Sequence, residues 1–301
     1  MNKDETYIID AHMHFSDLGA YRDKALGIKA PVTLDGVLEY MAASNVVLAI
    51  GMGIDDLSGQ AASFQPPMLL SLSRQWCPET GPYHKRIACC PGVDPWQLLH
   101  HPQPYIRTLA ELCALDYVVG LKIYLGYFPF YASDEIYAPV FDLCRAHDIT
   151  LVMHTGDVSS PDAFLKYAHP LSVDEVAVRH RKCKIVMAHF GNPWLFDAAS
   201  VALKNDNVFL DMSGLVVGKF TVEQLYKTQP GYIRYLKSAI AYLFDYDKLM
   251  YASDWPFAPI VNYIDFIKSI IPEKQHENVF FKNALYIYRR LSAMLEKIYE
   301  T

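Results

Sequence analysis

Histidine, lysine and aspartate side chains stand in or at the ends of five short apolar runs of this 301-residue chain. The first run leads into His12 and His14, and later runs contain or lead into Lys122, His154, His189 and Asp254. Imidazole nitrogens and carboxylate oxygens bind Zn²⁺ and similar divalent ions, and the same groups accept and donate protons. The residue types therefore indicate a metal-binding or acid–base site.

The joint pattern carries more weight than any single residue in it. His12 and His14 are two positions apart, so on a strand their side chains project from the same side. Two histidines can simply be hydrogen-bonded at a strand end, a lone His154 or His189 is more often structural than a ligand, and Asp254 can cap a helix. However, four of the 11 histidines fall at the ends of three apolar runs, which favours one shared site.

The elements that must position these residues follow from eight apolar runs, each too short for a helix and rich in Ile, Val and Leu. Such runs are typical of strands buried on both faces. The predicted strands are residues 7–10, 46–50, 87–93, 118–124, 150–154, 184–188, 207–211 and 248–252. Helical spacing of apolar residues appears between them over 34–41, 106–113 and 136–144, and Ser172 and Glu175 have the spacing of a capping box.

This alternation of strands and helices predicts an α/β fold, a (β/α)8 TIM barrel, as a single domain over residues 1–301. A doubly wound open sheet is the competing prediction, but its dinucleotide-binding members carry a Gly-rich first turn that is absent here. In a barrel the carboxyl ends of all strands meet at one edge, so the candidate residues converge. Two long connections, 52–86 and 212–247, follow strand ends and are predicted to be either substrate loops or additional packing helices.

Composition excludes several other classes of protein. The net charge is −6, and the densest basic group is the scattered set Arg179, Arg181, Lys182 and Lys184, which argues against a nucleic-acid-binding protein. No apolar stretch approaches the roughly 18–20 residues of a membrane span, and no apolar signal core follows the polar N-terminus. Six cysteines without a CxxC pair indicate reduced thiols. These features predict a cytoplasmic protein that acts on a small molecule, with no nucleic-acid or membrane partner.

Seven strand motifs and a C-terminal segment resemble one known group of enzymes. The motifs are DAHMHF, RIACCPGVDP, VVGLKIY, LVMHTG, VMAHFGN, NVFLDMSG and YASDWPF, and the C-terminal segment is FFKNALYIY. Together they resemble the amidohydrolase superfamily, in the branch that holds aminocarboxymuconate-semialdehyde decarboxylase and pyrone-dicarboxylate lactonase. The resemblance covers nearly the whole chain and is specific for the superfamily, but not for one substrate.

The resemblance implies a metal at the mouth of the barrel. It implies His12, His14, His154 and Asp254 as ligands and His189 as an acid–base group. In binuclear relatives a lysine at the position of Lys122 is carboxylated and bridges two ions, and the residue matching His189 becomes a ligand. In mononuclear relatives that lysine is free to hold a substrate carboxylate. The branch favours one ion, with Zn²⁺ as the default and Mn²⁺ or Fe²⁺ as alternatives. Barrels of this kind often form homodimers, so a homodimer is one expectation.

The first expectation for the activity is hydrolysis by a metal-activated water, with Asp254 as the proton acceptor and His189 and Lys122 as supporting catalytic groups. A metal-dependent, non-oxidative decarboxylase is the alternative, and a barrel that only binds a metal or ligand is a further one. Aromatic residues near the predicted strand ends favour a ring-bearing or carboxylated substrate, although any one of them can instead pack under a loop: Tyr124, Tyr127, Phe128, Phe130, Trp194, Trp255 and Phe257.

Overall fold

The computed structural model describes residues 7–16, 18–55, 63–71 and 85–299. Nine strand segments in this part of the chain form one parallel arrangement. They are β1 (Ile8–Met13), β2 (Val46–Met52), β3 (Ile87–Cys90), β4 (Gly92–Val93), β5 (Gly120–Ile123), β6 (Thr150–Met153), β7 (Ile185–Met187), β8 (Val208–Asp211) and β9 (Leu249–Met250).

The strands close into a barrel. Pairing runs β1-β2-β3 and β4-β5-β6-β7-β8-β9, and all pairs are parallel. Pro91 separates β3 from β4. Because proline has no N–H, one hydrogen bond of the ladder is missing there, and we treat the two segments as one interrupted strand. The circle closes where the Ala11 N–H donates to the Tyr251 carbonyl (3.2 Å) and the His14 N–H to the Trp255 carbonyl (2.7 Å). The predicted (β/α)8 TIM barrel is therefore confirmed.

Helices cover the outside of this barrel. They are α1 (Gly19–Ile28), α2 (Leu34–Ala43), α3 (Pro95–His100), α4 (Pro102–Cys113), α5 (Ala138–His147), α6 (Leu171–Arg179), α7 (Leu195–Lys204), α8 (Val222–Thr228), α9 (Pro230–Leu243), α10 (Ile260–Ile270), α11 (Asn283–Ile287) and α12 (Leu291–Tyr299). No helix in the described ranges is long and apolar enough to cross a membrane.

The predicted capping box at Ser172 and Glu175 is wrong. With Ser172 as the N-cap the helix would begin at Val173, but α6 begins two residues earlier, at Leu171, and Ser172 lies inside its first turn. The Ser172 hydroxyl donates to the His169 carbonyl (2.9 Å) instead of accepting from a backbone N–H. A serine in the first turn can bond backward in this way, so the Ser-x-x-Glu spacing alone did not fix the cap.

Of the two long connections, 212–247 forms α8 and α9 after a short turn at the mouth of the barrel, as the packing-helix alternative predicts. A substrate-binding role for the turn stays a prediction. The helix α9 packs against α7, while Ser213 and Gly214 lie against His189. Much of the connection 52–86 lies outside the described residues, and its predicted role as a substrate loop stays a prediction.

Strand residues alternate between two apolar cores, as expected for strands buried on both faces. Residues such as Leu151 and Met187 point outward against the helices, whereas Val152 and Val186 fill the barrel interior. The interior core continues into Leu291 of α12 at the amino-terminal end of the barrel. This leaves the carboxyl ends of the strands as the open face where the polar residues collect.

Arg290 connects the C-terminal segment to the loops that precede β5 and β6. Its guanidinium donates to four backbone carbonyls at 2.7–3.0 Å, those of Cys113, Leu115, Val118 and His147. The neighbouring Arg289 makes only a solvent-exposed ion pair with Asp148 (2.7 Å; side chains 61% and 63% exposed) among the described residues.

We expect Arg290→Met to lower the free energy of unfolding by about 2–4 kcal/mol, because half-buried carbonyls lose a charged donor. Arg289→Met is the matched control and should change it by less than about 1 kcal/mol, as is usual for exposed ion pairs. Urea unfolding followed by circular dichroism measures both. Equal losses in the two variants would contradict the anchoring role of Arg290.

Candidate metal centre

The ends of five strands place the predicted site residues around one space. His12 lies in β1 and His14 just beyond it, Lys122 lies in β5, His154 follows β6, His189 follows β7, and Asp254 follows β9. All are buried except His189, which is part-buried. The barrel therefore brings together all six residues that the sequence analysis selected.

The contacts within this group are short. His14 Nε2 lies 3.3 Å and His12 Nε2 3.6 Å from Asp254 Oδ1. His154 Nδ1 lies 3.1 Å from His189 Nε2. Ligand atoms of His12, His189 and Asp254 all fall within 4.8 Å of one another, a spacing that one ion can bridge.

The protonation of the His154 ring follows from its partner. His154 Nε2 lies 3.0 Å from the carbonyl oxygen of Asp157. A carbonyl only accepts, so Nε2 carries the hydrogen and Nδ1 keeps a lone pair. That lone pair faces the centre of the site.

His12 and Asp254 offer the centre two further acceptors. His12 Nδ1 lies 2.9 Å from Asp211 Oδ2, and beside a carboxylate this nitrogen donates and leaves a lone pair on Nε2. Neither His12 Nε2 nor Asp254 Oδ1 makes a hydrogen bond within the described part of the chain, although both are buried. Buried acceptors that face one another without a donor between them fit a cation, so the residues present suit a divalent ion.

Burial keeps the histidines in the neutral form that binds metals. It lowers the pKa of His12, His14 and His154, and it lowers the pKa of His189 to about 4. Burial alone would raise the pKa of Asp254, but the surrounding histidines hold that pKa below its usual range. At neutral pH the centre thus holds neutral imidazoles and an ionised carboxylate.

Lys122 places a cationic amine against this centre. Its side chain is fully buried, and its Nζ makes no hydrogen bond to any described residue while lying 5.4 Å from the Tyr124 ring centroid. Burial lowers the pKa of Lys122 to about 8, although the charges of Asp211 and Asp254 oppose that shift. A buried, unpartnered ammonium is suited to an anionic group of a bound molecule.

The backbone is held in unusual conformations at two of these positions. His189 and Asp254 have φ of 62° and 58°, in the left-handed region that non-glycine residues seldom adopt. The Asp254 N–H donates to the His12 carbonyl (2.9 Å), and the His189 N–H to Asp211 Oδ1 (3.0 Å). These bonds offset the strain and aim both side chains inward.

The turn after β8 packs closely against His189 and Asp254. Gly214 has a φ of 64°, and a Cβ there would lie 2.8 Å from His189 Nδ1 and 3.0 Å from Asp254 Oδ2. No larger residue fits without moving the two side chains.

Sequence reasoning missed Asp211, Ser213 and Tyr21. Asp211 is the last residue of the seventh predicted strand, so the rule that selected the other strand ends also points to it. Ser213 carries no signal of its own. Tyr21 lies in α1, and its ring centroid is 4.9 Å from that of His14.

The predicted aromatic residues divide into two groups. Tyr127 and Phe257 approach the site, with ring centroids 5.1 Å from His154 and 6.3 Å from His14. Tyr124 lies beside Lys122 but directs its hydroxyl to the Gly53 carbonyl. Others pack elsewhere: Phe130 contacts Trp96, Trp194 contacts His169, and Trp255 contacts Phe15. Phe128 belongs to a small buried cluster with Met68 and Tyr124.

The sequence model of the family described as Amidohydrolase matches residues 9–290 of this chain. The chain belongs to the amidohydrolase family. The match takes in every strand of the barrel, apart from the first residue of β1, and each of the six candidate site residues. No curated protein sequence matches this amidohydrolase significantly.

Solved structures with the same fold include an uncharacterised TIM-barrel protein from Bordetella bronchiseptica (18% identity, TM-score 0.68, covering 95% of this chain and 99% of that one). A probable 2-pyrone-4,6-dicarboxylic acid hydrolase from Acinetobacter baumannii is 15% identical (TM-score 0.59, 94% and 99% covered). A dihydroxybenzoic acid decarboxylase from Polaromonas, solved with bound manganese, is 14% identical (TM-score 0.63, 95% and 97% covered). The fold therefore occurs in both hydrolases and decarboxylases.

Proposed function

We propose that this amidohydrolase is a metal-dependent hydrolase that uses metal-activated water on a small, ring-bearing or carboxylated substrate. The observation that carries the proposal is the convergence of acceptor atoms: His12 Nε2, His154 Nδ1 and Asp254 Oδ1 face one space without a donor between them. Such a site is built to hold a cation and to accept a proton, which is what attack by water requires.

The proposed ligands are His12, His14, His154 and Asp254, and the proposed cofactor is one Zn²⁺. This set of nitrogen and oxygen donors is the usual one for zinc, with Mn²⁺ and Fe²⁺ as alternatives. The ion, when bound, lowers the pKa of water toward about 7 and so supplies a nucleophile at neutral pH.

The chain's own residues then manage the proton. Asp254, which is ionised at neutral pH, accepts the proton of the attacking water at the carboxylate oxygen that is not the proposed metal ligand, and passes it to the leaving group. Neutral His189 presents Nε2 to the same space and accepts a hydrogen bond from that water, which orients it. The Lys122 ammonium stabilises the oxyanion or holds a carboxylate of the substrate.

We expect Lys122→Met to lower kcat by about 100–1000-fold, which is the usual cost of removing one stabilising donor. Metal content should stay unchanged, because the amine is not among the proposed ligands. Lys219→Met, at an exposed lysine beyond the turn after β8, is the control and should behave as wild type. If Lys122→Met also lost metal, a carboxylated Lys122 that bridges two ions would replace the one-ion proposal.

The same lysine predicts a pH dependence. Its pKa is lowered from 10.5 to about 8, so the ammonium is present below that pH and is lost as the pH rises through it. We expect kcat/KM of the wild type to fall above about pH 8 and the residual activity of Lys122→Met to show no such fall. Rates measured from pH 6 to 10 test this, and a decline shared by both proteins would assign it to another group.

Decarboxylation is the second candidate function. It is favoured by the structural similarity to decarboxylases of dihydroxybenzoic acids and by Tyr21, Tyr127 and Phe257, which line the site with rings. In that reaction the ion and Lys122 would hold the substrate carboxylate, and His189 with Asp254 would manage protonation of the ring carbon that loses CO₂.

Product analysis separates the two reactions. The zinc-loaded protein is incubated in ¹⁸O-labelled water with 2-pyrone-4,6-dicarboxylate, a ring ester, and with 2,6-dihydroxybenzoate, and a wider set of lactones and aromatic acids follows. Hydrolysis puts one ¹⁸O atom into a ring-opened product. Release of CO₂ without ¹⁸O in the organic product would overturn the hydrolase proposal and establish the decarboxylase.

A further inference from the structure

Asp211, the last residue of β8, and the turn over residues 212–214 have no part in the proposed proton transfers, yet they contact two of the histidines. They belong to the strand motif NVFLDMSG, to which the sequence analysis assigned no chemistry. Asp211 and Ser213 are both fully buried. Burying a carboxylate costs free energy unless its oxygens accept hydrogen bonds, so the donors around Asp211 indicate its role.

Asp211 accepts hydrogen bonds at both of its oxygens. Oδ2 accepts from His12 Nδ1 (2.9 Å). Oδ1 accepts from the backbone N–H groups of His189 (3.0 Å) and Ser213 (3.1 Å), and also from the Ser213 hydroxyl. One carboxylate therefore joins the end of β1, the end of β7 and its own strand.

The Ser213 hydroxyl links this carboxylate to the ring of His189 by two consecutive hydrogen bonds. A serine hydroxyl has a single hydrogen, and here it is donated to Asp211 Oδ1. The oxygen can then only accept, so His189 Nδ1, 2.8 Å away, must be the donor. The Ser213 carbonyl lies farther from the same nitrogen, at 3.3 Å, and the hydroxyl oxygen also lies 3.3 Å from His12 Nδ1. With the hydrogen on Nδ1, the His189 lone pair is on Nε2, which points at His154 Nδ1 and the centre.

We propose that Asp211 is a positioning residue that sets the ring tautomers of His12 and His189 together, directly for His12 and through the Ser213 hydroxyl for His189. Both rings then present Nε2 lone pairs to the same space. The inference rests on the proposed function for the roles of these histidines, but its tautomer and metal-binding consequences do not require turnover. The two rings lie 5.0 Å apart, centroid to centroid.

The test compares Asp211→Asn, Ser213→Ala and Ser213→Thr with the wild type. Asp206→Asn, an exposed aspartate just before the opposite end of β8, is the matched control. Tautomers are read from long-range ¹H–¹⁵N spectra of metal-free protein labelled in its histidine rings, with His12→Gln and His189→Gln for assignment. Zinc affinity is measured by competition with a chromophoric chelator, and folding is checked by circular dichroism.

In Asp211→Asn we expect altered tautomer signals for both histidines and zinc binding weakened by about 10–100-fold, the usual cost of removing a partner that orients a ligand. In Ser213→Ala the His189 signal should change most, because His189 Nδ1 is left with only the Ser213 carbonyl, 3.3 Å away, whereas His12 Nδ1 loses a 3.3 Å contact but keeps Asp211. Ser213→Thr, which keeps the hydroxyl, should restore the His189 signal. Asp206→Asn should match the wild type.

A wild-type His189 signal in folded Ser213→Ala would overturn the relay, and wild-type zinc affinity in folded Asp211→Asn would overturn the coupling to His12. If Asp211→Asn does not fold, the two serine variants still decide the relay. Failure of the proposed hydrolysis would instead appear as absent ¹⁸O incorporation with these spectra unchanged.

Discussion

Removal of divalent metal is expected to lower the Tm of this protein by about 5–10 °C and to abolish its activity. The physical reason lies in the facing acceptors, because His154 Nδ1 and His189 Nε2 are 3.1 Å apart in a buried space that holds His12 Nε2 as well. An ion bound only by the folded state adds about 4 kcal/mol of stability at 1,000 times its Kd. For a domain of this size each kcal/mol corresponds to roughly 2 °C.

The measurement is thermal unfolding of chelator-treated protein, before and after addition of Zn²⁺, Mn²⁺ or Mg²⁺. Elemental analysis of protein purified without added metal gives the number of ions per chain. About one would support the proposed ligand set, and about two would place His189 and a carboxylated Lys122 in it. A Tm that none of these cations raises would remove the basis of the proposed mechanism and favour a barrel that only binds a ligand.

Replacing Asp254 by asparagine is expected to lower kcat by about 10⁴-fold, the upper end of what a general acid–base group contributes. Asp254 is the only carboxylate in contact with both His12 and His14, at 3.6 and 3.3 Å, among the described residues. An amide accepts no proton and is a weak ligand for a divalent ion, so the proton acceptor and one ligand are lost together.

The control for this variant is Asp265→Asn, an exposed aspartate in α10 that should keep full activity. Rates are measured on whichever probe substrate the wild type turns over, at saturating zinc, and zinc content is measured in parallel. Near-complete activity in zinc-loaded Asp254→Asn would show that another group accepts the proton, and His189 would be the next candidate for that role.

The predicted effects of metal removal and of Asp254→Asn do not depend on whether the reaction is hydrolysis or decarboxylation. The product analysis distinguishes these two reactions. Hydrolases and decarboxylases share this fold. The ring contacts of Tyr21, Tyr127 and Phe257 bear on the shape of the substrate and not on the bond that breaks. This is why the isotopic label, and not the architecture, decides between the two.

The amino-acid sequence by itself determined the order and type of the barrel strands. Each strand is buried on both faces, so it must be a short apolar run, and such runs are visible in the sequence. It also determined that His12, His154, His189 and Asp254 share an edge, since each follows or ends such a run and parallel strands end together. The start of α6 was misplaced, because Ser172 bonds backward to a carbonyl, and the spacing of residue types cannot show that direction.

Only the tertiary structure decided which hydrogen each ring carries and which residues orient the rings. The partner of His12 is Asp211, 199 positions away in the chain, and the relay from Asp211 to His189 passes through Ser213, whose residue type is common at turns. Tyr21 reaches His14 from a helix, outside any strand pattern. Buried polar groups take their partners from wherever the chain packs, so these contacts depend on closure of the barrel and not on local sequence.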